Sequence, residues 1–422
     1  APTLAQLQAL GVTGVNADNL IAVQNAIAAT ADDGSGVDTL AELQTVVSSA
    51  LGATAAALNI ISTYAQANSG TAPTLNTYID AGVTGVDNNN LASINDALAS
   101  ASVVGTSVDT TTEVQALVNA YNAILNLADG SDNTANSANP IYDQYALIGV
   151  TGVDNPAKAS LLGDVIDTKA RTAVDTVGEI QTLADAVTAV MTGAAGSTAP
   201  TLAQLQALGI TGVNADNLPA VQNAIAATAD NGTGVDTLGE LQTVVSTAAS
   251  AASSALGVIS TYAQANSTPA PATPTGTAPD LNTYTNAGVT GVTPSNLAAI
   301  NDALASASVV GTSVDTTAEV QDLVNAYKAM FTLADGIDNT TNASNPAQAQ
   351  YALIGVTGVT STAKASLLGD VIDKKTNSDI DTVGEIQALA DAVTAVMTGA
   401  AGSTAPTLAQ LQALGVTGVN AD

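Results

Sequence analysis

The sequence contains no cysteine, no histidine and no tryptophan, and only one phenylalanine. Without cysteine there is no disulfide to staple the fold and no thiol chemistry. That fits a cytosolic protein, and equally a bacterial secreted protein that crosses membranes unfolded. Basic residues are scarce: 7 Lys and Arg stand against 37 Asp and Glu, a formal charge of −30. So acidic a surface repels nucleic acid and anionic membranes and keeps the chain soluble by self-repulsion, while leaving divalent cations as possible counter-ions. No uninterrupted apolar run approaches the roughly 20 residues of a membrane helix, and no signal peptide is visible. Neither nucleic-acid binding nor membrane insertion is expected.

What is present is repetition. Residues 1–18 return unchanged as residues 405–422, and again as residues 199–216 with Val12 replaced by Ile210. The chain is therefore expected to be a window on a longer polymer of repeats, the pattern of solenoids and stacked arrays. A Gly-[Val/Ile]-Thr-Gly-Val motif begins at Gly11, Gly82, Gly149, Gly209, Gly288, Gly355 and Gly415, at spacings of 71, 67, 60, 79, 67 and 60 residues. Three unequal segments thus recur in order. We denote them A1 (1–70), B1 (71–139), C1 (140–197), A2 (198–275), B2 (276–345) and C2 (346–403), with the start of a third A at 404–422. The longer A2 carries a Pro/Thr linker at residues 268–276, an extended and semi-rigid composition.

Each segment reads as three helices. The first is short, with Leu4, Leu7 and Leu10 on one face, a Thr3/Gln6 capping box and Gly11 as the left-handed residue that closes it. The second follows the glycine motif and places Leu20, Val23 and Ile27 inward. Its expected N-caps are Asn16, Asp87, Asp154, Asn214, Thr293 and Thr360, with Pro294 at the first helical position. Pro219 implies a start nearer Asp216. The third opens with Thr-x-x-Glu in every full segment: Thr39/Glu42, Thr110/Glu113, Thr176/Glu179, Thr237/Glu240, Thr316/Glu319 and Thr382/Glu385. This is the capping box, reinforced by acids at the positive end of the helix dipole. In A1 the apolar spacing carries this helix to Ala65 or beyond, about 40 Å. A strand over the glycine motif is the competing reading, weakened by the glycines.

Candidate chemistry is sparse. The acid-and-glycine loops holding Asp32, Asp33 and Asp38, and their copies Asp230 and Asp236, could wrap a calcium ion, as could residues 129–133 and 335–339. Calcium takes six to eight oxygens, and these loops offer two or three carboxylates without the EF-hand pattern. An Asp/Gly turn leading into a helix cap explains the same residues. Lys158 and Ser160 (and Lys364 with Ser366) lie at i, i+2, which cannot face each other on a helix. Asp154 with Lys158 reads as a surface ion pair. The repeat-matched tyrosines Tyr64/Tyr262, Tyr78/Tyr284, Tyr121/Tyr327 and Tyr145/Tyr351 read as core or packing between segments, the alternative being contact with a glycan or another chain. The sequons at Asn231, Asn266, Asn339 and Asn342 lack first-half counterparts and read as chance. No nucleophile–base pair, metal cluster or phosphate loop appears, so no catalytic or cofactor site is expected.

The glycine motif, the Asn-[Leu/Pro]-x-Ala-[Val/Ile] helix and the Val-Asp-Thr-x-x-Glu-[Leu/Val]-Gln segment together resemble the Ala/Thr/Val-rich helical tandem repeats of giant bacterial surface and biofilm adhesins exported by type I secretion. The resemblance spans essentially the whole chain. It implies an extracellular or cell-surface location and a role in adhesion or as an extended stalk. The calcium-binding nonapeptide repeat frequent in such proteins is absent. The expectation is an all-α tandem array of three-helix units joined by short Pro/Thr/Gly linkers, working as the scaffold of a self-associating filament, sheath or biofilm matrix. The alternatives are a monomeric adhesin stalk, or modules that bind a host protein or surface glycan.

Overall fold

The computed structural model describes residues 1–31, 33–130, 139–229, 231–267, 273–336 and 345–420. Asp32, Asp230, Asn339, Asn342 and residues 268–272 of the linker lie outside that set, as do most of the loops at 129–133 and 335–339. Among the described residues the fold is all-α, with nineteen α-helices, four single-turn 3-10 helices and no strand. Segment A1 carries α1 (Leu4–Ala9), α2 (Leu20–Ala28) and α3 (Leu40–Ala67). B1 carries α4 (Leu75–Asp80), α5 (Leu91–Leu98) and α6 (Thr111–Leu127), and C1 carries α7 (Tyr142–Leu147), α8 (Pro156–Asp167) and α9 (Val177–Ala194). A2 holds α10 (Leu202–Ala207), α11 (Leu218–Ala226) and α12 (Leu238–Asn266), and B2 holds α13 (Leu281–Asn286), α14 (Leu297–Leu304) and α15 (Thr317–Leu333). C2 follows with α16 (Gln348–Leu353), α17 (Thr362–Asp373) and α18 (Val383–Ala400), and α19 (Leu408–Ala413) comes last.

The glycine motif is a helix stop, not a strand. Gly11 has φ +83° and Gly14 has φ +86°, values that glycine alone adopts without strain. The Gly11 N–H donates to the Gln8 carbonyl and the Val12 N–H to the Leu7 carbonyl, at 3.0 and 3.1 Å. That is the Schellman pairing, and the buried contact of Val12 with Leu7 that accompanies it is in place.

The second helix starts later than the caps expected from sequence. Its N-caps are Asn19 in α2, Asn90 in α5, Asn155 in α8, Asn296 in α14 and Ser361 in α17. Asn16 and Asn19 instead bind each other reciprocally, Asn16 N–H to Asn19 Oδ1 at 2.8 Å and Asn19 N–H to Asn16 Oδ1 at 3.1 Å. This makes a separate turn ahead of the helix, a use that asparagine serves as well as capping. Pro294 lies in that turn, Pro156 takes the first helical position of α8, and Pro219 is second in α11, where its missing N–H is still an orphan.

At 28 residues, α3 spans about 42 Å. Helices α3 and α12 each contain an 18-residue window of mean hydropathy 1.5 and 1.3, long and apolar enough by composition to cross a membrane. Counting uninterrupted apolar runs missed this, because Ser, Thr and Gly break the runs without adding charge. A core helix of a soluble protein meets the same criterion.

The chain divides into two compact units, one of residues 1–211 with 225–243 and one of residues 212–224 with 244–422. In the second unit one apolar core runs from Ala255 to Leu414, with Tyr284, Tyr327 and Tyr351 wholly buried in it. In the first, Tyr78, Tyr121 and Tyr145 are equally enclosed. The matched tyrosines are thus mainly core residues.

Candidate assembly interface: the junction between consecutive segments

The start of the third helix is built first from local chemistry. Thr39 Oγ1 accepts the Glu42 N–H at 3.2 Å, and Glu42 Oε2 accepts the Thr39 N–H at 3.0 Å. The same box closes at Thr110, Thr176, Thr316 and Thr382. At Thr237 the Glu240 N–H is held at 3.2 Å. Two residues beyond the glutamate, a glutamine reaches back to the glycine motif. Gln44 Oε1 accepts the Thr13 N–H at 2.9 Å, and Gln44 Nε2 donates to the Thr13 carbonyl at 3.2 Å. Gln115, Gln181, Gln242, Gln321 and Gln387 make the same paired bonds to Thr84, Thr151, Thr211, Thr290 and Thr357. The turn ahead of the second helix is thereby fixed to the start of the third. This role of the glutamine was not read from sequence, although its recurrence beside every capping glutamate was the signal.

Segments then close on one another. Helix α3 packs on α4 and α5 of the next segment, α6 on α7 and α8, and α15 on α16 and α17. Helix α5 also meets α9, α14 meets α18, and α9 meets α10. At the centre of three junctions a carboxylate from one segment caps the third helix of the next. Asp96 Oδ2 accepts the Val177 N–H at 2.6 Å, Asp302 Oδ2 the Val383 N–H at 2.7 Å, and Asp164 Oδ2 the Leu238 N–H at 3.0 Å. Each bond satisfies a first-turn amide that the helix cannot satisfy itself. Tyrosine hydroxyls cross the same boundaries, Tyr121 to the Val174 carbonyl at 3.4 Å and Tyr327 to the Ile380 carbonyl at 3.0 Å. Lys169 Nζ donates to the Ala207 carbonyl at the end of α10, at 2.8 Å.

Burial follows this order. The residue just before the glycine motif is buried in B1, C1, A2, B2, C2 and the final fragment, as Ala81, Ile148, Leu208, Ala287, Ile354 and Leu414. In A1 the same position is Leu10, 59% exposed. The fourth residue of the third helix is buried as Val114, Ile180, Leu241, Val320 and Ile386, whereas Leu43 of A1 is only half-buried. Leu40, first in its helix, is 53% exposed. From B1 onward the residue before the glycine motif, and from B1 to C2 the fourth residue of the third helix, are thus buried, and each of these segments packs on the one before it.

The acidic loop of A2 sits beside the C1–A2 junction, where Gly232 lies against Met191, and that of A1 has no such neighbour at Gly34 among the described residues. Asp33 accepts the Ser35 N–H at 2.9 Å, a bond that holds its carboxyl below the usual range. Glu42 pushes the Asp38 carboxyl up, while Asp38 and Thr39 hold Glu42 down. Burial first, and Glu240 second, push Asp236 up. Among the described residues, which omit Asp32 and Asp230, no group of three acidic, histidine or cysteine side chains is gathered as a metal site. Asp154 and Lys158 form the expected ion pair at 2.9 Å, and Lys158 also binds the Gly152 carbonyl. No family profile, no curated protein and no solved structure matches the chain.

Proposed function

We propose that this chain is a structural protein: a tandem array of three-helix units, joined by short Pro/Thr/Gly linkers, serving as the extracellular scaffold of a filament, sheath or biofilm matrix at a bacterial surface. The observation that carries the reading is that consecutive segments complete one another: Leu208 and Leu241 of A2 are sealed, and Asp96, Asp164 and Asp302 each cap the third helix of the segment that follows. A chain whose cores are completed by neighbours gains stability with each unit added, the behaviour of a stacked array. The charge of −30 keeps such an array soluble and directs it away from nucleic acid. The resemblance to adhesin repeats supplies the location. No step of catalysis and no cofactor enters this role.

Electron microscopy of the purified chain, with and without a calcium chelator, tests it. Regular filaments or sheets are the expected result. Isolated particles at every concentration favour the adhesin stalk, whose binding function lies elsewhere. Filaments that dissolve on chelation assign the acidic loops around Asp33, Asp38 and Asp236 to calcium.

A further inference from the structure

The geometry points to Asn231 as a site of self-modification, at which the Gly232 amide nitrogen attacks the Asn231 carboxamide and the residue becomes aspartate or isoaspartate. Residues 231 and 232 are the one Asn-Gly step in the sequence. Glycine, with no side chain, crowds such an attack least. Asn231 is exposed, in the turn that leads into α12. Its Oδ1 accepts both the Thr233 N–H at 3.2 Å and the Thr233 hydroxyl at 3.0 Å. Two donors on one oxygen draw electrons from Cγ and stabilise the charge that attack places on that oxygen. A bond forms between Gly232 N and Asn231 Cγ, and the bond from Cγ to the side-chain nitrogen breaks. That nitrogen departs as ammonia with the proton Gly232 has lost. Solvent water then opens the cyclic imide. Cleavage of the new bond gives aspartate. Cleavage of the original peptide bond gives isoaspartate, whose main chain is one methylene longer.

The other copy of the repeat shows what the aspartate product looks like. The same position of A1 is Asp33, followed by Gly34. The two turns are held alike. Gly34 N–H donates to the Ala31 carbonyl at 3.0 Å and Gly232 N–H to the Ala229 carbonyl at 2.9 Å. Val37 and Val235 donate to the Gly34 and Gly232 carbonyls at 3.1 and 3.0 Å. Asp33 takes the Ser35 N–H as Asn231 takes that of Thr233. Aspartate at 231 therefore fits this turn. It is also an end point, because the bond from Ser35 favours the ionised Asp33 carboxyl, and a carboxylate is a poor target for a second attack. Isoaspartate fits badly. Gly232 is buried, with Met191 Sδ of C1 against it. An added methylene beside Gly232 disturbs that close packing and loosens the C1–A2 junction. The nucleophile is guarded as well: the Gly232 N–H must leave the Ala229 carbonyl and lose its proton before it attacks. Conversion thus proceeds when the turn opens, and its rate reads the frequency of opening.

Peptide mapping of the full chain, incubated at mildly alkaline pH until asparagines begin to convert, is the test. Asparagine, aspartate and isoaspartate are scored at every asparagine, in the native chain and in urea. Position 231 should convert ahead of every other asparagine in both, and more slowly in the native chain. Asn231→Gln, which would have to close a larger ring, should abolish conversion there. Met191→Ala uncovers Gly232 and should raise the native rate about tenfold while leaving the rate in urea unchanged. Asn231→Asp should unfold at the same urea concentration as wild type. The isoaspartyl form, separated by chromatography, should exchange its Leu238 amide faster than the Asn231→Asp chain does. Asn231 converting no faster than the other asparagines of the native chain would overturn the site. Equal rates in the native chain and in urea would overturn control by the turn, and unchanged Leu238 exchange would overturn the link to the junction. The scaffold reading stands or falls separately, on microscopy.

Discussion

Residues 1–48 and 199–246 are nearly the same sequence, yet Leu10 lies 59% exposed while Leu208 is sealed. Leu43 is half-buried while Leu241 is inaccessible. The helices are alike in both places: α1 and α10 are each six residues with a Thr/Gln capping box. Local chemistry therefore sets the helices, whereas the preceding segment sets the core. A repeat in this chain is a unit of secondary structure before it is a unit of packing.

The sharpest way to break that comparison is to truncate the same leucine in both places. Leu208→Ala should destabilise the first unit by about 2–5 kcal/mol, the range for a buried leucine. Leu10→Ala should stay within about 0.5 kcal/mol. Urea unfolding measures both, and equal effects would mean that Leu10 is as enclosed as Leu208. A smaller difference is expected between Asp164→Ala and Asp370→Ala. Removing the Asp164 cap should cost about 1 kcal/mol and speed hydrogen exchange at the Leu238 amide. Asp370 has no such amide to release among the described residues, so its loss should be slighter.

The smallest effect concerns Asp38 and Asp236, at one position of the repeat. Both carboxyls are pushed above the usual range in the folded chain. A folded value above the unfolded one means that the native state binds the extra proton. The stability this proton supplies is full below the ordinary carboxylate value and is lost as pH rises through the raised value. The part of the thermal midpoint that Asp236 supplies, read as wild type minus Asp236→Asn, should thus fall slightly as pH climbs from about 4 toward neutrality, whereas for Asp38 the lowered Glu42 of the same pair works in the opposite direction. Asp236→Asn should flatten the slope even in high salt, because burial is the leading cause there. For Asp38→Asn, where the neighbouring Glu42 dominates, the difference should shrink with salt.

Much of the fold was legible in the sequence because its signals are local. The Thr-x-x-Glu boxes, the left-handed Gly11 and the long apolar tract of α3 all act within a few residues, and the helices stand where those signals put them. The second helix was placed early because Asn16 and Asn19 both suit a cap, and only their reciprocal bonds decide which begins the helix. The junction acids Asp96, Asp164 and Asp302 were not recognised. Their partners Val177, Leu238 and Val383 lie 74 to 81 residues away, beyond the reach of any periodicity argument. The interlocking glutamines fall between: they recur beside a recognised motif, but their partner is a turn some 30 residues earlier.

The order of the segments has a consequence for how such a chain can change in length. Successive A segments begin their glycine motifs 198 and 206 residues apart, and the A face that C1 covers in A2 is kept in sequence in A1. Loss or duplication of one whole A-B-C set leaves each surviving boundary with its former neighbours, so no new surface has to be evolved. Loss of a single segment joins faces that never meet. The physical unit of inheritance in this array is the triplet, and recombination that respects it is structurally silent.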